Sequence, residues 1–216
     1  VLGGGFREGS INMFEVSERV GNAYLSLMAM TIANSLTQGK TVVVIPSLDS
    51  PPDVLMEFMI PFVSKDLMRR GLRMLTHSGV CDSFEMSECV IELSGDPDSD
   101  FEMVVRKLWR EEARRPPLFI VGLDSVEAMY GREGALRAAM RVLGLSAKTG
   151  LTLILIAKRG LGLFRAATII SSTRWRFENI DGAIVMYGVI PRTGLYAIQV
   201  SEDEMGRPVI DLVPVR

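Results

Sequence analysis

Histidine and cysteine are nearly missing from this chain. His77, Cys81 and Cys89 are all that 216 residues contain. A metal site needs three or four converging ligands, and none can be assembled around His77. Catalytic triads built on histidine meet the same shortage. The cysteines have no ligand-like spacing, so we expect core thiols in a reducing, cytoplasmic setting rather than a disulfide. Net charge is only -2 at pH 7, which removes any argument from composition for a polyanionic partner. Long apolar runs are absent too. The longest, Tyr24 to Leu36, is interrupted by Ser26, Thr31, Asn34 and Ser35, and it falls short of the roughly 20 residues a bilayer helix needs. No membrane association is expected, and no secretory signal is visible where the numbering starts. What remains is a chain 48% apolar, enough to bury a full core.

Apolar runs alternate with helical patterns along that chain. Strands are expected at Ser10–Glu15, Thr41–Pro46, Cys89–Leu93, Leu118–Gly122 and Leu151–Ala157. Helices are expected at Asn22–Gln38, Asp53–Arg70 with a break near Pro61, Asp98–Arg115 and Gly134–Thr149. Strands apolar on both faces and separated by helices predict a parallel sheet covered on both sides. The end changes character. Gly182–Val189, Gly194–Val200 and Pro208–Leu212 are strands joined by short polar turns, which predicts an antiparallel extension of the same sheet. With no repeat and no linker, residues 1–216 read as a single domain.

The first expected strand leads into Val16-Ser17-Glu18-Arg19-Val20-Gly21-Asn22-Ala23. A phosphate-binding loop has G-x-x-x-x-G-K-[ST] in such a place. Here Val16 stands for the first glycine, Asn22 for the lysine and Ala23 for the hydroxyl residue, and only Gly21 matches. The lysine would neutralise the β- and γ-phosphates and the hydroxyl would ligate magnesium. Glu15 and Glu18 add negative charge at the same helix start, which repels a triphosphate. Arg19 is the nearest substitute cation.

The order of these segments resembles the RecA-like ATPase core, in particular its KaiC-like and RadA-like branch. The resemblance rests on Gly3-Gly4-Gly5 with Gly9-Ser10 before the first strand, on Thr41–Ile45 followed by Ser47-Leu48-Asp49-Ser50-Pro51, on Leu118–Val121 followed by Gly122-Leu123-Asp124-Ser125, and on Ile180-Asp181-Gly182-Ala183. It implies an α/β fold with a RecA-like core, a mostly parallel sheet flanked by helices and C-terminal antiparallel strands. It also implies that Asp124 matches the Walker B acid and that Leu48-Asp49 stands where the branch carries paired catalytic glutamates. Relatives reach a neighbouring subunit's phosphate with Lys-x-Arg on a late strand, where this chain offers Gln199 and Ser201. A plainer reading stands beside each acid: Asp124 or Ser125 as a helix cap, and Asp49 as a turn residue before Pro51-Pro52.

Three further segments carry alternatives. Lys158, Arg159 and Arg165, with Arg174 and Arg176 among Trp175 and Phe177, suit a nucleic-acid-binding loop of the kind recombinase relatives have there; otherwise they are solvated arginines over inward aromatics. The helix around Met56, Met59 and Phe62 is apolar nearly all round, which means core packing or a partner surface. Asp96-Pro97-Asp98-Ser99-Asp100 begins like a calcium loop but has Phe101 where glycine is needed and Lys107 where the closing glutamate is needed, so it reads as the approach to a helix.

The expectation is a catalytically degenerate RecA/KaiC-like domain with no catalytic residue and no bound cofactor. Val16, Gly21, Asn22, Ala23, Asp49 and Asp124 mark the vestigial site, and the role is protein binding, to a partner or to another copy. Two alternatives are an ATPase of unusual design using Mg-ATP and a substitute cation, and a nucleic-acid accessory protein.

Overall fold

The computed structural model describes residues 6–21, 23–77, 86–110, 116–204 and 208–215. Asn22, Cys81, the glycines at 3–5 and the expected helix end at 111–115 lie outside them. The elements are β1 (Ile11–Val16), α1 (Ala23–Thr37), β2 (Val42–Ile45), α2 (Pro52–Met59), α3 (Lys65–Gly71), β3 (Leu72–His77), β4 (Val90–Leu93), α4 (Pro97–Arg110), β5 (Leu118–Gly122) and α5 (Leu123–Thr149). They continue with β6 (Thr152–Lys158), α6 (Phe164–Ile170), β7 (Thr173–Ile180), β8 (Ala183–Ile190), β9 (Arg192–Glu202) and β10 (Pro208–Pro214).

All ten strands form one sheet in the order β10-β9-β8-β7-β1-β6-β5-β2-β3-β4. The strands from β7 to β4 run parallel, and β8, β9 and β10 add to β7 antiparallel. Strand β1 illustrates why both faces are covered. Its alternating side chains point opposite ways: Phe14 and Val16 enter a core with α1, α2 and α3, while Met13 packs with the start of α5 and with α6. A third cluster joins β2, β3, β5 and β6 to α4 and α5.

Local chemistry sets the element ends. Gly39 at φ +73° stops α1, and its N–H donates to the Leu36 carbonyl at 2.9 Å. Ser64 caps α3 by accepting from the Leu67 N–H. The expected break near Pro61 falls between α2 and α3. Gly131, at φ +64°, kinks α5, so the expected helix from Gly134 is the second limb of a longer element that starts at Leu123.

Three segments go beyond the sequence pattern. Leu72–His77, which lies past the expected helix end at Arg70, is a strand whose alternate residues Leu72 and Met74 are buried beside β2. Arg174–Phe177, which the sequence offers as part of a basic loop, belongs to strand β7, paired with β1 and β8. Of the two readings of the helix around Met56, Met59 and Phe62, burial favours core packing: Met56 and Met59 are 6% and 0% exposed within the α1-side core, and Phe62 packs against it half-buried. Cys89 is a buried core thiol as expected, with its Sγ 3.7 Å from the Met68 carbonyl.

Candidate functional site

In a parallel sheet the strand exits converge on one edge, and ligands of such folds bind there. The ends of β1, β2, β5 and β6 meet at that edge. Gly122, the last residue of β5, lets two of them touch: a Cβ there would lie 2.6 Å from Ser47 Cα and 2.7 Å from Ser47 N. This brings the Ser47-Leu48-Asp49-Ser50 turn, closed by Ser50 N–H donating to the Ser47 carbonyl at 2.9 Å, against the first turn of α5.

Asp124 is 7% exposed in that first turn. It is not the cap, which falls at Gly122 with no side-chain bond. Its Oδ1 accepts from Ser125 N–H at 2.9 Å. Its Oδ2 accepts from Ser47 Oγ at 2.6 Å, Leu48 N–H at 3.2 Å and Lys158 Nζ at 2.7 Å. Lys158 closes β6, in register with Val16 of β1, and its ammonium also lies 2.9 Å from Asp49 Oδ2. Burial works against the charged amine, but the two aspartates outweigh it and hold its pKa above the ordinary lysine value. Burial likewise opposes the Asp49 carboxylate, and Lys158 overcomes it, so that pKa is lowered. Tyr24, buried in α1, places its hydroxyl 2.9 Å from Ser50 Oγ and donates to Asp49 Oδ1 at 3.3 Å. Desolvation chiefly, with Asp49 adding to it, pushes its ionisation far up.

The loop after β1 is folded onto itself. Val16 and Val20 are 2% and 4% exposed, both in the α1-side core. Ser17 N–H donates to the Phe177 carbonyl and Val20 N–H to the Ser17 carbonyl, each at 3.1 Å. Glu18–Val20 form one 3-10 turn ended by Gly21 at φ +57°, and Ala23 opens α1. Arg19 is exposed, and no ion pair joins it to Asp49 or Asp124 among the described residues.

A second charged cluster sits one strand away. Glu15, 2% exposed, receives Arg159 Nε at 2.8 Å and Arg176 Nη2 at 3.0 Å, with Arg174 Nε at 4.0 Å. Arg176 Nε is 2.9 Å from Glu15 Oε1 but not aligned to donate, and its guanidinium lies 5.7 Å from the Tyr187 ring centroid. Three of the five cations expected on a nucleic-acid loop therefore surround one buried acid, and Lys158 serves the aspartates. Arg165 alone of the five is exposed on α6 with no such engagement among the described residues. Gln199 lies exposed on β9, as does Ser201, which is 3.5 Å from Asp211. Asp100 is a buried helix-entry residue that accepts from Ser94 and Gly95 N–H groups.

The role of Lys158 was missed from the sequence although a signal was there. Leu118–Gly122 and Thr152–Ile156 are adjacent parallel partners, so the first residues past each exit must meet. A lysine ending an apolar strand beside one ending in Gly-Leu-Asp is the mark.

Taken together, the strand order and a site at the strand exits define a RecA-like α/β fold. The KaiC-like form of that fold is seen in the crystal structure of a KaiC-like protein from the hyperthermophilic archaeon Pyrococcus horikoshii. That structure is similar over 96% of this chain and 92% of its own, with a TM-score of 0.61 at 14% identity. No family model and no curated protein matches the sequence. Among the described residues no helix is long and apolar enough to cross a membrane.

Proposed function

We propose that this chain is a catalytically degenerate RecA/KaiC-like domain, working in the cytoplasm as a scaffold or regulatory partner for another protein or for a second copy of itself. The observation that carries this reading is the Lys158 ammonium, 2.7 Å from Asp124 and 2.9 Å from Asp49. A lysine amine there supplies the positive charge that a divalent cation supplies in a working site.

The described residues around the strand exits weigh against Mg-nucleotide. Asp124 Oδ2 already accepts three donors, Ala23 has no oxygen to offer a metal, and the Ser17 and Val20 amides donate inward rather than to a phosphate. The engagement of Arg159, Arg174 and Arg176 with Glu15 weighs against the nucleic-acid alternative, and Arg19, exposed and paired with neither Asp49 nor Asp124 among the described residues, gives no support to a substitute-cation ATPase.

Calorimetric titration with Mg-ATP and Mg-ADP at low salt tests the reading. No binding heat at millimolar nucleotide is expected; micromolar binding overturns it. Sedimentation across a concentration series then separates self-association from a need for a different partner.

A further inference from the structure

On the sheet face covered by α4, α5 and α6 lies an apolar cavity of about 110 Å³. Its floor is Phe119 and Val121 of β5 with Leu153 and Leu155 of β6. Its side walls hold adjacent alanine pairs, Ala138-Ala139 on α5 and Ala166-Ala167 on α6. Small side chains on two facing helices leave the space open where leucines would close it. Ala139, Ala166 and Ile170 are partly exposed, so the way in runs between α5 and α6.

Among the described residues the only polar side chains on the lining are Asp100 and Tyr130, and they are bonded to each other and to the Ser94-Gly95 turn. Asp100 Oδ1 accepts from Ser94 N–H at 2.7 Å and Ser94 Oγ at 2.8 Å; Oδ2 accepts from Gly95 N–H and from the Tyr130 hydroxyl, each at 3.0 Å. Both Asp100 oxygens are thus saturated and the Tyr130 proton is spent, so among the described residues the lining offers a polar guest little beyond the tyrosine oxygen as an acceptor. Apolar voids of this kind stay dry, and one of about 150 Å³ lined by leucine, isoleucine and phenylalanine takes benzene or xenon.

We infer that this cavity is a binding site for a small uncharged hydrocarbon, a single aromatic ring or an aliphatic group of like bulk. The site is independent of the charged cluster at the strand exits. Even so, Leu123 and Val126 on its lining flank Asp124 in the same helical turn, so a guest touches the element that carries that carboxylate.

Toluene titrated into the whole chain, followed by methyl NMR and thermal melting, tests the site. Saturable shifts are expected at Val121, Leu155 and Ile170, with a Tm rise of about 3–6 °C at a tenfold excess over Kd. Ala139→Leu should weaken toluene binding at least tenfold, and Ala166→Leu tests the same space from the facing wall if the first variant does not fold. Wild-type methyls that do not shift up to the solubility limit of toluene overturn the proposal. So does binding that persists unchanged in the filled variants, which would place the guest elsewhere.

Discussion

Replacing Lys158 by methionine keeps the stem of the side chain and deletes the charge between Asp49 and Asp124. Removing one partner of a buried pair costs about 3–5 kcal/mol. Lys158 and Asp49 keep 21% and 40% side-chain exposure, and solvent screening brings the expected loss to roughly 2–3 kcal/mol. In a chain of this size that lowers Tm by roughly 4–12 °C. The loss should depend on pH. Asp49 has a folded pKa below its ordinary 3.8, so its contribution is complete above that value and disappears as pH falls through the folded one. Lys158 is raised above 10.5, so its contribution is complete below that value and is lost as pH rises through the folded one. The gap between wild type and Lys158→Met is therefore widest at intermediate pH and closes toward both ends. The variant also leaves two carboxylates facing each other, a pairing that suits a hard cation. Millimolar Mg²⁺ should raise the Tm of the variant and leave the wild type unmoved. A variant as stable as wild type at pH 7, or a gap that ignores pH, would refute the reasoning.

Glu15→Gln strips the acid from among Arg159, Arg174 and Arg176 and should cost about 3 kcal/mol by urea denaturation; a loss under about 0.5 kcal/mol, the usual size of a surface change, would show that the arginines do not depend on it. Gly122→Ala forces a Cβ to within 2.6 Å of Ser47 backbone and should cost about 2 kcal/mol or more, read from thermal unfolding; a neutral result would mean the two strand exits are further apart. Tyr24→Phe deletes a hydroxyl that reaches Ser50 and Asp49 and should cost about 1 kcal/mol, measured by the same unfolding curves, with stability unchanged counting against the network.

Periodicity made most of the fold legible, because the central strands are apolar on both faces and bounded by Gly and Pro. It failed where a buried strand uses residues that also suit helices. Leu72-Arg73-Met74-Leu75 follows directly on Gly71, the last residue of α3, and its Leu and Met residues also suit a helix; pairing with β2 makes it a strand. The alternation Arg174-Trp175-Arg176-Phe177 was plain in the sequence, but the arginines suggested a solvated loop. The aromatics enter the α1-side core, while the arginines turn to the opposite face and find Glu15. The mismatch to a phosphate-loop pattern at Val16, Asn22 and Ala23 is read from the sequence alone, and Asn22 lies outside the described residues. The cation that stands between the aspartates was not legible there, because Lys158 is 34 residues from Asp124 and the two meet only through sheet topology. Methionine content left core packing and an adaptable surface both open at α2; Met56 and Met59 fall on its buried face, while Asp53 and Glu57 take the exposed one.

The strand order has a consequence for how the chain comes together. Strand β1 carries the loop and Glu15, yet both its neighbours are made late: Ile11 pairs beside Leu153 and Asn12 beside Thr173. During synthesis β1 has no lateral partner until β6 has emerged, while β2, β3, β4 and β5 can already associate. Loops this long are slow to close. Glu15 likewise gains its arginine partners only then. Insertion of β1 between β6 and β7, with capture of its acid, is thus a late step in assembly, and the strand-exit edge acquires its shape near the end of folding.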